Sequence, residues 1–181
     1  MSAPPGRPKE CSLPLGGTAR SAKGAPLPVA LSQRVAACLR DHHVMTLATQ
    51  GETGLWAAAV FYVNEGLKLY FLSSPASRHA SNLAREPRVA VTIQRDYDDW
   101  PQITGIQAEG EAVEVSGDEH THARSLYGDK FPLVGRAGST TGAIAQALAK
   151  VHWYRFTPRR LYLIDNSLGF GHRDELDCRR G

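Results

Sequence analysis

The chain has 181 residues and a net charge of +3, long enough to bury one real core and short enough to be read as one domain. Its first 28 residues hold Arg7, Lys9, Arg20 and Lys23 against Glu10, so the remaining body is balanced at seventeen basic and seventeen acidic residues. A nucleic-acid-binding barrel carries its basic excess on the folded surface, so that class is disfavoured.

Residues 1–28 contain six prolines, four glycines and no apolar run, which reads as a disordered tail ahead of a single domain over residues 29–181. The tail lacks the apolar centre of a signal peptide, and no later stretch has membrane-spanning length. Cys11, Cys38 and Cys178 are odd in number and far apart, which fits a reducing cytoplasm better than a disulfide framework or a zinc site.

Residues 31–40 predict a helix with Leu31, Val35 and Leu39 on one face, Cys38 beside it and Ser32 as cap. His42 and His43 lead into a first strand over residues 44–49. The turn Gln50-Gly51-Glu52-Thr53-Gly54 gives way to a second strand over residues 55–63, and Asn64-Glu65-Gly66 turns it into a third over residues 67–72. Ser74-Pro75 reads as a helix opening, with Ala76, Ala80, Leu83 and Ala84 facing the sheet and Pro87 as the stop. Residues 89–94 form a fourth strand. A polar loop with Tyr97 and Trp100 precedes a long fifth strand over residues 103–115, whose apolar face changes near Val113, as at a bulge or bend. Gly105 and Gly110 within it mark barrel curvature or close approach of a backbone or ligand. A helix from Gly117 to about Tyr127 follows, then a loop over residues 128–142 and a short helix over residues 143–150. Asp118, His120 and His122 lie together on the first of these, without a further metal ligand in view. Residues 153–156 and 161–165 give two more strands about a turn at Pro158. The pattern is mainly β with small helices, an antiparallel barrel.

The junction between the third and fourth strands gathers Ser73, Ser77, Arg78 and His79 where a strand ends and a helix begins. Free backbone N–H groups, a hydroxyl and a guanidinium there can hold an anion such as a phosphate. A solvated helix start with Arg78 paired to a carboxylate is the other reading.

A strand followed by Ser77-Arg78-His79 and a short helix ending in Glu86-Pro87-Arg88 resembles the FMN-phosphate segment of the pyridoxamine 5′-phosphate oxidase-like split barrels, where Ser-Arg-Lys is usual. Asp165-Asn166-Ser167-Leu168-Gly169-Phe170-Gly171 is similar to the closing signature of the YhbP-like branch. The resemblance, over about residues 29–173, implies a split β-barrel homodimer with FMN at the subunit interface. It implies that Ser77, Arg78 and His79 hold the phosphate and that Leu72 and Ser73 lie beside the flavin. Trp56 to Phe61, thus Ala58, Ala59, Val60 and Phe61, flank the ring. From the partner it implies Gly105, where relatives often carry glutamine, the segment from Ile164 to Asn166, and Arg173. The vitamin-forming oxidases close with an Arg-Leu-His-Asp-Arg run, whereas this chain reads Gly171-His172-Arg173-Asp174-Glu175-Leu176, so that activity itself is not expected.

Three functions follow: an FMN-dependent oxidoreductase acting on a small molecule, a binding protein holding FMN or haem without turnover, or a structural or nucleic-acid-binding barrel without flavin. His42, His43 and His172 are the candidate haem ligands. No paired carboxylates and no Ser–His–Asp pattern stand out as a catalyst.

Overall fold

The computed structural model describes residues 30–132, 146 and 148–178. The expected tail, most of the loop expected over residues 128–142 and half of the helix expected over residues 143–150 lie outside the described residues.

The chain runs α1 (Leu31–Asp41), β1 (Val44–Gly51), β2 (Gly54–Glu65), β3 (Lys68–Ser73), α2 (Arg78–Leu83), β4 (Arg88–Gln94), β5 (Thr104–Glu114), α3 (Gly117–Lys130), β6 (His152–Asp165) and β7 (Arg173–Leu176). All strand pairings are antiparallel, in the order β3-β2-β1-β4-β5-β6-β7. A further pairing of β3 with β6 closes six of these strands into a barrel. β6 is long enough to serve two neighbours on one side. Trp153 and Phe156 sit in the rungs with β3, and Leu161 to Ile164 pair with β7.

Alternation along the strands fills the interior. Met45, Leu47, Val60, Tyr62, Val91, Ile93, Ile106, Ala108 and Ala112 point inward, and α1 closes one end with Val35 and Leu39. A second cluster of Val63, Tyr70, Val115, Ala123, Tyr127 and Trp153 seats α3 against the outside of the barrel. Burying these side chains, at about 1.5–3 kcal/mol each for the larger ones, supplies the main folding force.

Four local expectations are corrected. The cap of α1 is Ala30, not Ser32, which lies inside the helix. α2 begins at Arg78: Ser74-Pro75 makes a turn, with the Ser77 N–H donating to the Ser74 carbonyl, and Ser77 is the cap that accepts from the Ala80 N–H. α3 continues through Gly128 to Lys130. Pro158 does not end a strand. Glu109 opposes Arg160 and Gly110 opposes Pro158, so Arg159 is an extra residue bulged out of one continuous β6. A bulge tolerates a proline because a ladder donor is already lost there. The seventh strand is β7, beyond the segment expected.

The face change expected within β5 resolves the same way. Val113 shares the outer face with the charges. Val115 is buried only after the strand has ended, in the cluster under α3. The bend comes from the bulge in β6 beside Gly110.

Candidate functional site

The strand–helix corner is built from three side chains that meet at the end of β3. Ser73 is buried, and its hydroxyl contacts the Ser77 hydroxyl at 3.1 Å. His79 Nε2 shares hydrogen bonds with both hydroxyls. The spacing makes this possible: β3 stops at Ser73, the turn reverses the chain, and the first turn of α2 returns His79 over Ser73. Burial pushes the His79 imidazole below its usual range, so at neutral pH the ring is uncharged.

Arg78 points the other way. Its Nη2 donates to the Thr53 carbonyl at 3.2 Å and reaches the Leu55 carbonyl at 3.5 Å. Its guanidinium carbon lies 4.7 Å from the centroid of the Trp56 ring. Among the described residues no carboxylate pairs with Arg78, so the reading of a carboxylate-bound helix start does not hold. The charge is held in place by the β1–β2 turn and a half-exposed indole. α2 is fixed beneath the corner by Asn82, whose buried side-chain amide donates to Thr49 Oγ1 at 3.0 Å.

The other residues singled out in β2 divide by strand parity. Ala59 and Phe61 are exposed, Ala58 is half-buried, and Val60 belongs to the core. Only Ala59 and Phe61 present exposed side chains on the outer face. Leu72 is half-buried next to Ser73.

Gly105, Ile164, Asn166 and Arg173 form a second group. Gly105 pairs with Ile164 across β5–β6, and Ile164 pairs with Arg173 across β6–β7. Of these, Gly105 and Ile164 line a cleft of about 370 Å³, together with Gln94, Arg95, Tyr97 and Thr104, among others. A Cβ on Gly105 would stand 2.6 Å from the Ile93 carbonyl oxygen, so close backbone approach alone requires glycine. Asn166 spends its amide inside the loop: Nδ2 donates to the Trp100 carbonyl and Oδ1 accepts from the Gly171 N–H, each at 3.0 Å. This latches the turn Asn166–Leu168 to the turn Trp100–Gln102 and sets Phe170 beside Trp100, ring centroids 5.3 Å apart.

Arg78 and Gly105 lie toward opposite ends of one ladder, while Phe61, which pairs with Val44, stands at the Gly105 end. Gly105 pairs with Gln94, beyond the Thr46–Thr92 rung, while Arg78 reaches Leu55, which pairs with Gln50. More than the four residues from Thr46 to Gln50 separate them, roughly 13 Å or more at strand rise.

The histidines fall in three settings. His42 is 9% exposed, and its Nδ1 lies 2.8 Å from the Cys38 carbonyl. A carbonyl only accepts, so Nδ1 carries a proton. Nε2 is buried without a hydrogen-bond partner among the described residues. His43 packs its ring near Phe131, and His172 contacts Asp174. On α3, His122 contacts Glu65 and His120 stands edge-on to Trp153.

Sequence reasoning missed the Ser73–His79 contact, although two hydroxyls and an imidazole within seven residues across a strand end were its signal. It also missed the carbonyls of Thr53 and Leu55 as the seat of Arg78, for which the sequence carries no signal.

The family model described as pyridoxamine 5′-phosphate oxidase matches residues 31–165. The chain belongs to the pyridoxamine 5′-phosphate oxidase family. Within this family it is similar to the UPF0306 protein YhbP of Escherichia coli O157:H7, 31% identical over 137 residues, covering 75% of this chain and 85% of that protein. Among solved structures, a haem-binding protein from Mycobacterium smegmatis superposes with a TM-score of 0.67 at 20% identity, over 84% of this chain and 60% of that longer one. The haem storage protein HutZ of Vibrio cholerae superposes with a TM-score of 0.57 at 19% identity, over 72% of this chain and 91% of that one. These two share the fold. No described helix is long and apolar enough to cross a membrane.

Proposed function

We propose that the chain binds FMN between two copies of itself and works as a flavin-dependent oxidoreductase on a small molecule. The observation that carries this reading is the corner at the end of β3. Two hydroxyls and an imidazole converge there, and the adjoining residue Arg78, turned toward the β1–β2 turn, carries a guanidinium that no described carboxylate neutralises. That donor set suits a phosphate: Ser73 and Ser77 donate single hydrogen bonds, and Arg78 offers a planar fork that a phosphate accepts two at a time. Ala59 and Phe61 supply exposed apolar surface on the outer face of β2 for a ring system. When bound, the flavin supplies the hydride or electron chemistry, and the protein positions it and excludes water. The separation of Arg78 from Gly105 along the ladder supports a site completed by a second copy, with Gly105, Ile164 and Arg173 brought by the partner.

The test is a fluorescence titration of wild type and Arg78→Ala with FMN and with riboflavin. A hydrogen bond to a charged group is worth roughly 1.5–3 kcal/mol, so FMN should bind about ten- to a hundredfold more weakly to the variant. Riboflavin, which lacks the phosphate, should bind as before. Equal losses for both ligands would mean that the corner holds no phosphate. Bleaching of the yellow protein by NAD(P)H, with reoxidation by air or substrate, separates turnover from mere binding.

A haem-binding reading has one observation in its favour. His42 keeps its proton on Nδ1, hydrogen-bonded to a carbonyl, and leaves Nε2 buried with no hydrogen-bond partner among the described residues, the arrangement of a metal-ligating imidazole. Haem titration of wild type and His42→Ala checks it. A Soret band that is the same in both removes His42 from the site.

A further inference from the structure

Two surfaces of the barrel flank the site described above, and they complement one another. The first is a tip at the Gln94–Thr104 end of the sheet. Trp100 is 65% and Phe170 81% exposed, large apolar side chains that a monomer leaves in water at a cost. They do not flex freely, because Asn166 ties their two turns together. Asp96, Asp98 and Asp99 stand beside them, exposed and without ion pairs among the described residues. The second surface is a groove of about 280 Å³ at the opposite end of the outer sheet face. Ala48, Leu55 and Ala90 floor it, and Arg88, Arg159 and Glu109 form its rim. Arg88 is paired with Glu86, and Glu109 lies 3.9 Å from Arg160. Arg159, pushed out by the bulge in β6, has no ion pair among the described residues.

We propose that the acidic aromatic tip of one copy, Asp98, Asp99, Trp100 and Phe170, docks into the Arg159 groove of a second copy of this chain. The inference rests on the homodimer reading given above and specifies its contacts. A two-fold axis makes an interface self-complementary: whatever one copy offers at one end of the face, the other must receive at the opposite end. The tip and the groove lie at opposite ends of one face, so a single two-fold joins both pairs at once. Between them the face carries small side chains, Thr46, Ala48, Ala57 and Ala90, which let two sheets approach closely. Apolar rings meet an apolar floor, and carboxylates meet an unpaired guanidinium, which fixes register as well as affinity.

The experiment measures the dimer dissociation constant of the full chain by sedimentation equilibrium. The variants are Asp98→Arg with Asp99→Arg, Arg159→Glu, all three combined, and Trp100→Ala with Phe170→Ala. Each charge reversal should weaken the dimer at least tenfold, since like charges juxtaposed cost several kcal/mol. The combined variant should recover most of the loss, which no general damage to the fold can do. Loss of the two rings should weaken the dimer without rescue by Arg159→Glu. A wild-type dimer unmoved by every variant, or a combined variant as weak as its parts, overturns this docking and leaves the dimer itself standing. A wild type that stays monomeric overturns both.

Discussion

His79 shows how one side chain can tie ligand binding to acidity. Its imidazole is held below the usual range by burial, so without ligand the neutral ring is the stable form. A phosphate beside it favours the charged ring and draws the proton back. FMN affinity of the wild type relative to His79→Ala should therefore rise as pH falls below about 6.5 and vanish above neutrality, read from paired titrations across pH. Without ligand the sign reverses. The unfolded state takes up the proton first, so the stability owed to the neutral ring is complete above about pH 6.5 and is lost as pH falls toward the depressed folded value. Gly110 is a residue of the opposite kind, with no chemistry and no freedom. A Cβ there would overlap the Thr157 carbonyl oxygen and press on Pro158 Cα, both main chain. Gly110→Ala should cost roughly 3 kcal/mol in denaturant unfolding, while Gly66→Ala, where no atom lies within 4 Å, should lose less and through its positive φ alone. The sequence made Ser77, Arg78 and His79 legible as a group because chemistry-bearing residues adjoined a strand end. It could not show that Arg78 would turn toward the β1–β2 turn, since carbonyl seats belong to the backbone of another element.

At the scale of elements, strands whose alternation was clean, β1, β2, β4 and β5, were readable to within a few residues. The errors arose where tertiary pairing overrode local signals. Ser74-Pro75 is a sound helix opening in isolation, yet Ser77 prevails because its hydroxyl is already anchored on Ser73. Pro158 normally punctuates a strand, yet the bulge at Arg159 carries β6 past it. β7 is four residues with three charges, Arg173-Asp174-Glu175-Leu176, and has no local claim to be a strand; only the free edge of β6 makes it one. α3 depends on a contact of its own. Glu119 accepts from Arg155 Nη1 at 2.5 Å and from the Tyr70 hydroxyl at 3.3 Å, and the Arg155 hydrogen bond holds its carboxyl below the usual range. Glu119→Gln should lower stability by about 1 kcal/mol, discounted for partial exposure. The difference from wild type should shrink as pH falls from the ordinary glutamate range toward the depressed folded value, because protonating Glu119 removes the same charge.

For the whole molecule, short strands joined by tight turns announced a small barrel, and the closing pair of β3 and β6 completes it. No pattern in the sequence could announce that closure, because the partners lie some eighty residues apart. Nor could it show that Arg78 and Gly105 stand toward opposite ends of a ladder. The proposed shared site predicts a two-copy assembly in solution. Light scattering at micromolar concentration should give twice the chain mass, with an interface of roughly 2,000 Å² or more.

The seam between β3 and β6 has a kinetic side. Its last rung is Ser73 with His152, so the strand end that carries the corner is also where the barrel unzips. Terminal rungs open at far lower free energy than a global unfolding, and each opening scatters Ser73, Ser77 and His79. A ligand that needs the three together binds only the closed seam and must slow its fraying. Amide exchange along Leu69–Ser73 and Trp153–Phe156 thereby becomes a reporter of occupancy in a barrel whose outline never changes.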